Sequence, residues 1–373
     1  MTGSEGISQI LFSGLELGWQ DVLMLAIGGL LIALAVIKQY EPLLLLPIGF
    51  GCVLANLGMS SDSGVFKVIY DAGVRTELFP LLIFIGVGAM IDFRPLLSMP
   101  SMVLLGAAGQ FGIYGVLILA TLLGFPLNEA ASIGIIGAID GPTAIFVTNR
   151  LAPELLGPVA VAAYSYMSLI PVIQPPIMRL MTTRKERSIR MEYAARPVSK
   201  GIIIVFPIAV TILISLIAPE GAPLIATLML GNVLKESGVV DRLSKSAQNE
   251  IINIATLFLG LAIGTTMTAA SFVNQETIMI LVLGLLAFIL DTSAGLMFGK
   301  LMSKITGGKI NPLIGACGIS AFPMAGRLSA QMAINEDQTN FIIMQAMGTN
   351  TAGQLGSVIA GGLLLSLVSG GFY

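Results

Sequence analysis

"GIIGAIDGPTAIF" (residues 134–146) sets a lone carboxylate, Asp140, inside an apolar run and follows it with Gly141 and Pro142. An ionised aspartate at membrane depth costs roughly 3 kcal/mol or more to insert unless it is paired or hydrated. Gly141 permits a sharp change of backbone direction. Pro142 has no N–H to donate and clashes with the carbonyl four residues back, at Ala138, which frees that oxygen beside the carboxylate. Thr143 adds a hydroxyl. A carboxylate, a freed carbonyl and a hydroxyl are hard oxygen ligands of the kind alkali and alkaline-earth cations take. The stretch therefore predicts a broken membrane helix whose break holds a cation. A structural ion pair, or a cap at the start of a half-helix, is the rival reading of the same aspartate.

The rest of the chain agrees with a membrane setting. Hydrophobic residues fill 55% of its 373 positions and charged residues 11%, against roughly 25% charged in a soluble domain. Mean hydropathy is +0.91, and a pI near 5.3 leaves no nucleic-acid footprint. Cys52 and Cys317 both lie in apolar stretches and read as buried free thiols. Histidine is absent, which removes the commonest proton shuttle and transition-metal ligand. Proton chemistry then falls to carboxylates, Tyr, Lys, Arg or water. Glu5, Glu16 and Asp21 precede the first apolar run and no basic residue comes before Lys38, so residues 22–37 are predicted to be a retained membrane helix, not a cleaved signal.

These features predict an all-α polytopic membrane protein, an internally repeated, transporter-like bundle with discontinuous helices. A first membrane half (1–180) carries the GAIDGPT break. A second half (201–373) carries breaks at NPLIGACGIS and MGTN. Between them, residues 181–200 form a basic linker, with Arg184, Lys185, Arg187, Arg190, Arg196 and Lys200 against Glu186 and Glu192. The excess of positive charge places it in the cytoplasm, exposed to proteases. Weaker basic loops at 235–245 and 300–309 do not all obey the same rule under one count of spans. "LLGAAGQ" (104–110) resembles "LIGACGI" (313–319), and each is followed at nearly equal distance by a polar residue in a Gly-rich setting, Asp140 and Asn350. That paired spacing predicts an internal duplication.

Other oxygen ligands cluster in the second half. Asn350 sits between Gly348 and Gly353, beside Thr349 and Thr351, and is read as completing the Asp140 site. Pro323 frees the carbonyl of Ile319 next to the Ser320 hydroxyl, and Asn311 offers another oxygen. Arg327, in apolar surroundings one turn beyond Pro323, must pair with an anion or line water. Its partner is either Asp140 or a substrate carboxylate held in a bidentate fork. Residues 163–176 bring Tyr164, Tyr166, Ser168 and Gln174 together with Pro171, and Tyr166 is the favoured functional tyrosine over a plain interfacial role. Asp291 is a second acidic residue in an apolar run. It serves the pathway, pairs with a lysine, or sits nearer the interface.

Taken together, "YEPLLLLPIGFG" (40–51), "GIIGAIDGPTAIF", "LAPELLGPVAVAAYSYM" (151–167), "IQPPIM" (173–178), "NPLIGACGISAFPMAGR" (311–327) and "MQAMGTNTAG" (344–353) resemble the β subunit of the sodium-translocating carboxylic-acid decarboxylases. The group includes oxaloacetate, methylmalonyl-CoA and glutaconyl-CoA decarboxylases. The resemblance runs from about Tyr40 to the C-terminus, with several long motifs in order. It departs where GGADGPT of some members is GAIDGPT here, where MGPN is MGTN, and in lacking an insertion after the first membrane segments.

The resemblance implies a translocase in the bacterial inner membrane. Its β subunit decarboxylates carboxybiotin and exports Na+ while consuming a proton. It also implies partners: a carboxyltransferase subunit, a biotin-carrier subunit that holds the biotin, and small membrane subunits, with a homo-oligomer inside the complex open. By motif match, Na+ and coupling positions fall on Asp140, Tyr166, Asn311, Ser320, Arg327 and Asn350. Asp140, Asn350, Ser320 and Asn311 are the metal ligands. Asp140, Tyr166 and Arg327 are catalytic, and Arg327 also holds the carboxybiotin. Gly315 matches a further position, where a side chain is expected to crowd the cavity. A stand-alone Na+ symporter or Na+/H+ antiporter is the alternative, since it would use the same broken helices.

Overall fold

The structure, a computed structural model, describes residues 18–192 and 197–370, so Glu5, Glu16 and Arg196 lie outside it. The described residues are helical, with no strand. Two helices open the chain, α1 (Trp19–Ile37) and α2 (Pro42–Ala55). A pair bent by 55° follows, α3 (Gly64–Arg75) and α4 (Leu78–Met90). Then come α5 (Met102–Leu122), the short α6 (Leu127–Gly134), α7 (Gly141–Leu151) and the long α8 (Leu156–Met181). After the linker come α9 (Lys200–Ile217), α10 (Ala222–Ser237), α11 (Asp241–Gly264) and α12 (Gln275–Ile305). A 3-10 segment (Pro312–Gly318), α13 (Met324–Glu336) and α14 (Ile343–Val368) end it. Seven of these are long and apolar enough to cross a membrane, and the bent pair makes an eighth. The protein is a multi-pass, all-α membrane protein, as its sequence predicts.

The element order repeats. Each half runs helix pair, a helix interrupted by a π turn (Tyr70–Arg75, Ala247–Ile251), a long helix, a broken helix, and a 26-residue helix. The register differs from the one the sequence suggests. The Asp140 break corresponds to the break after Gly318. Asn350 lies on α14, the counterpart of α8, and MGTN is no break at all, because α14 runs unbroken through it. The similar glycine segments 104–110 and 313–319 are partners in packing. A Cβ on Gly109 would lie 2.3 Å from the Gly318 carbonyl carbon, so both sequences are kept small by the same crossing. The halves also exchange helices reciprocally. α2 packs on α11, where a Cβ on Gly264 would lie 2.3 Å from the Ile48 oxygen, and α4 packs on α10, where one on Gly231 would lie 2.0 Å from the Ile85 oxygen.

The molecule has two distinguishable ends. Arg187 pairs with Glu336 at 2.7 Å and Arg190 with Asp337 at 2.8 Å, and Gln345 donates to the Met191 carbonyl, so the ends of α8 and α13 and the start of α14 gather round the linker. Arg94 with Glu236, and Lys300 with Glu186, lie at this same end. At the opposite end, Arg150 bridges Glu77 and Glu220. Among the described basic residues, only Lys67, Arg75 and Arg150 stand there. The loops at 235–245 and 300–309 both fall at the linker end, which removes the conflict met in the sequence. Described linker residues are tethered rather than loose, since Asn311 donates to the carbonyls of Arg187 and Ile189, each at 2.8 Å.

Candidate cation site

Asp140 owes its position to a backbone that cannot continue as a helix. After α6 the chain tightens into a 3-10 turn (Ile135–Ala138), and Ile139 then takes a left-handed conformation with φ 52°. A β-branched residue there is strained by roughly 1–3 kcal/mol, a cost that recurs at functional sites. Asp140 is extended and caps α7, and Gly141 and Pro142 fill the first helical positions, where a missing N–H costs nothing. The second break mirrors this: a 3-10 turn, an extended Ile319, then α13. The two breaks meet where the Ser320 N–H donates to the Ala138 oxygen at 3.1 Å. The carbonyl oxygen that Pro142 frees is thus engaged across the crossing. α7 and α13 run from this crossing to opposite ends of the molecule, so both positive helix N-termini face it.

The Asp140 side chain is buried, and three neutral donors converge on its Oδ2: the hydroxyl of Thr143 at 2.7 Å, the amide of Gln354 at 2.8 Å and the hydroxyl of Ser357 at 3.0 Å. Among the described residues no Lys or Arg pairs with it. The carboxylate is hydrogen-bonded but its charge is not cancelled, a condition that favours a bound cation or a proton. None of these three bonds goes to Oδ1, and Asp140 lines a cavity of about 330 Å³. The cavity extends toward the linker end, where Glu41 and Met90 line it, and Tyr164, Ser320, Pro323 and Gln354 complete its inner wall.

The other sequence candidates are only partly gathered here. Ser320 lines the cavity and donates to the Gly353 oxygen at 3.0 Å. Asn350 donates to the Ile319 oxygen at 2.8 Å, and its own Oδ1 is buried without a partner. It stitches the second break to α14 one turn before Gln354. Asn311 is away from the cavity, committed to the linker. Tyr166 donates to the Leu281 carbonyl of α12, so its hydroxyl is turned away from Asp140. Tyr164 takes the place expected for it: its ring packs where a Cβ on Gly141 would be, and its hydroxyl is buried without a partner. Two residues apart on a helix point about 200° apart, so only one of the two tyrosines can face the cavity.

Arg327 is exposed and makes no ion pair with Asp140. It stands one turn past Pro323 and Met324, which line the cavity, on the same face of α13 and nearer the linker end. Gly315 meets α12 rather than the cavity: a Cβ there would lie 2.0 Å from the Gly295 oxygen. Asp291 is buried on α12 and accepts the Gly112 N–H, at the start of the helical stretch of α5 that resumes at Phe111 after the turn at Gly109 and Gln110, so it caps that stretch from a neighbouring helix. Both cysteines are free and buried. Gln354 and Ser357 were not selected from the sequence. Their signal was the spacing Asn350, Gln354, Ser357, a polar stripe at i, i+4, i+7 on one face of an apolar helix.

Two broken helices crossing at one uncompensated carboxylate define the core of an ion-translocating membrane protein. Residues 20–368 match the family model described as Na+-transporting oxaloacetate decarboxylase beta subunit, and the chain belongs to that family. It is 52% identical to the methylmalonyl-CoA decarboxylase subunit beta of Veillonella parvula, over 94% of this chain and 93% of the relative. It is 51% identical to the glutaconyl-CoA decarboxylase subunit beta of Acidaminococcus fermentans, over 94% of each. With the oxaloacetate decarboxylase beta chain of Klebsiella pneumoniae the identity is 43%, over 95% of this chain and 96% of the other.

Proposed function

We propose that this chain is the membrane subunit of a biotin-dependent decarboxylase complex, in which it decarboxylates carboxybiotin and couples that reaction to Na+ export. The carboxybiotin comes on a separate carrier subunit, charged by a carboxyltransferase subunit. Small membrane subunits complete the complex in the bacterial inner membrane. Residues 181–200 face the cytoplasm, which the gathering of basic residues at the linker end supports. The observation that carries the reading is Asp140, hydrogen-bonded but without a counter-charge, at the inner wall of a cavity that extends toward that end.

The reaction converts an N-carboxylate and a proton into an N–H and CO2. Arg327, at the linker-side approach, orients the carboxylate before it leaves water. The apolar wall of Ile83, Phe84 and Val87 favours loss of neutral CO2 over retention of the anion. The Asp140 carboxylate binds Na+ together with neutral oxygens of the same cavity, Ser320 being the sequence candidate that lines it. A proton arriving at the same carboxylate displaces the ion, and that competition couples the two events. Tyr164, whose hydroxyl has no other partner, relays the proton toward the ring nitrogen.

The test is Na+ flux in vesicles holding the whole complex. Pumping driven by a decarboxylation substrate and stopped by avidin supports the reading. Exchange down an imposed pH gradient that ignores avidin, with no substrate-driven pumping, would leave a plain antiporter.

A further inference from the structure

At the end opposite the linker lies a second cavity, of about 720 Å³, which none of the chemistry above uses. It has room for on the order of 20 waters, enough for a hydrated ion. Asp62, Asp71, Glu77 and Glu154 line it. The cations facing it are largely committed. Lys67 holds Asp71 at 3.0 Å, with Arg75 at 3.8 Å, and Arg150 holds Glu77 at 2.6 Å and Glu220 at 3.0 Å. Asp62 and Glu154 have no ion pair among the described residues, so the lining favours a cation over an anion.

Two helices join this cavity to the Asp140 site. α7 begins at Asp140 and puts Asn149 and Arg150 in the second cavity, about 14 Å along its axis. α8 puts Tyr164 in the first cavity and Leu156 and Gly157 in the second, about 12 Å apart. Between them lies a dry layer in which Ile145, Leu156, Ala160 and Met267 belong to one buried cluster. The Asn56 amide that reaches this layer is committed, donating to the Met267 carbonyl at 2.8 Å and accepting from the Ala269 N–H at 2.9 Å, and the four apolar side chains offer an ion nothing to replace its water shell. The Arg150 clamp holds the tip of α7 to α4 and to the turn before α10, across the top of the same layer.

We propose that this second cavity is the far-side vestibule of the cation path, taking a hydrated monovalent cation released from Asp140, and that the layer of Ile145, Leu156, Ala160 and Met267 is the barrier closed in this conformation. The proposal rests on Asp140 being the cation site. It adds the route and the side: Na+ leaves between α7 and α8, past Gly157 and Thr266, into the acidic vestibule.

The test uses the whole complex in vesicles and a cationic, membrane-impermeant methanethiosulfonate added on the side opposite the linker. Thr266→Cys, in the vestibule, should react whether or not the pump is turning. Its Na+ flux should then fall about tenfold against the same variant before labelling, because a fixed positive charge repels the ion, and return when the disulfide is reduced. Ala160→Cys, in the barrier, should react only during turnover. Asn149→Cys repeats the vestibule test should Thr266→Cys fail to assemble. Vestibule cysteines that stay unlabelled from that side, or that label without loss of flux, overturn the proposal. So does equal reactivity of Ala160→Cys at rest and in turnover. Full flux in Asp140→Asn would instead refute the cation site itself, and the two failures are read in separate variants.

Discussion

Asp140 is the pivot at the scale of single residues because everything that touches its Oδ2 is neutral. Removing one donor leaves the charge less well held by about 1–2 kcal/mol. Gln354→Ala and Ser357→Ala should therefore each raise the Na+ concentration for half-maximal turnover about tenfold, with the maximal rate little changed. A lowered rate at unchanged Na+ dependence would make them packing residues. The same titration on Ser320→Ala and Asn350→Ala separates ligand from scaffold, since both also stitch the second break to α14. The tyrosines give a sharper contrast. Tyr164→Phe should slow Na+-stimulated decarboxylation by an order of magnitude or more, whereas Tyr166→Phe, which loses a bond to the Leu281 carbonyl, should lose stability first. The reverse ranking, read from kcat and thermal melting together, would move the proton relay to Tyr166.

Among the elements, the crossings set what the chain tolerates. Gly315→Ala must push α12 away from the 3-10 turn, because no side chain can yield where the obstacle is the Gly295 carbonyl. Overpacking of this kind costs about 1–3 kcal/mol, and the expected outcome is a lower melting temperature with the Asp140 site displaced. A variant with unchanged melting would show that the crossing relaxes freely. The linker tether is a second element-scale device. Bonds from the Thr339 hydroxyl and N–H, with Arg190 beside them, hold the Asp337 carboxyl down at about 2. Its contribution is full above the ordinary carboxylate value near ~3.9 and lost only as pH falls toward 2. The rate at which trypsin cuts the linker, taken relative to an unstructured peptide of the same sequence at each pH, should therefore be the same at about pH 8 and about pH 5, and a higher relative rate at the lower pH would mean the Arg190–Asp337 pair is not the tether.

Much of this was legible in the chain. The breaks announced themselves because Gly-Pro clusters interrupt apolar runs, and Asp140 because a charge in such a run is expensive. What stayed hidden depends on helical phase and on distance through space. Tyr164 and Tyr166 are equivalent in composition and opposite in direction. Gln354 and Ser357 look like ordinary polar residues of a glycine-rich helix until α7 is laid beside them. The likeness of segments 104–110 and 313–319 suggests repeat equivalence in the sequence, but in the fold it reflects a shared need for small residues where they touch.

Across the whole molecule, sidedness and coupling become one question. Basic residues gather at the linker end, so Lys185→Cys, exposed on the linker, should label from the cytoplasmic face alone. Labelling from outside would invert the membrane orientation and with it the direction of transport. The central claim is that one carboxylate couples decarboxylation to Na+ movement. It is tested most directly in Asp140→Asn, assembled in the complete complex, by following radioactive Na+ uptake into inverted vesicles alongside CO2 release. The variant should insert normally, since a costly charge is gone, and should lose both Na+ uptake and the Na+ stimulation of CO2 release. Substrate-driven Na+ uptake near the wild-type rate would contradict the account.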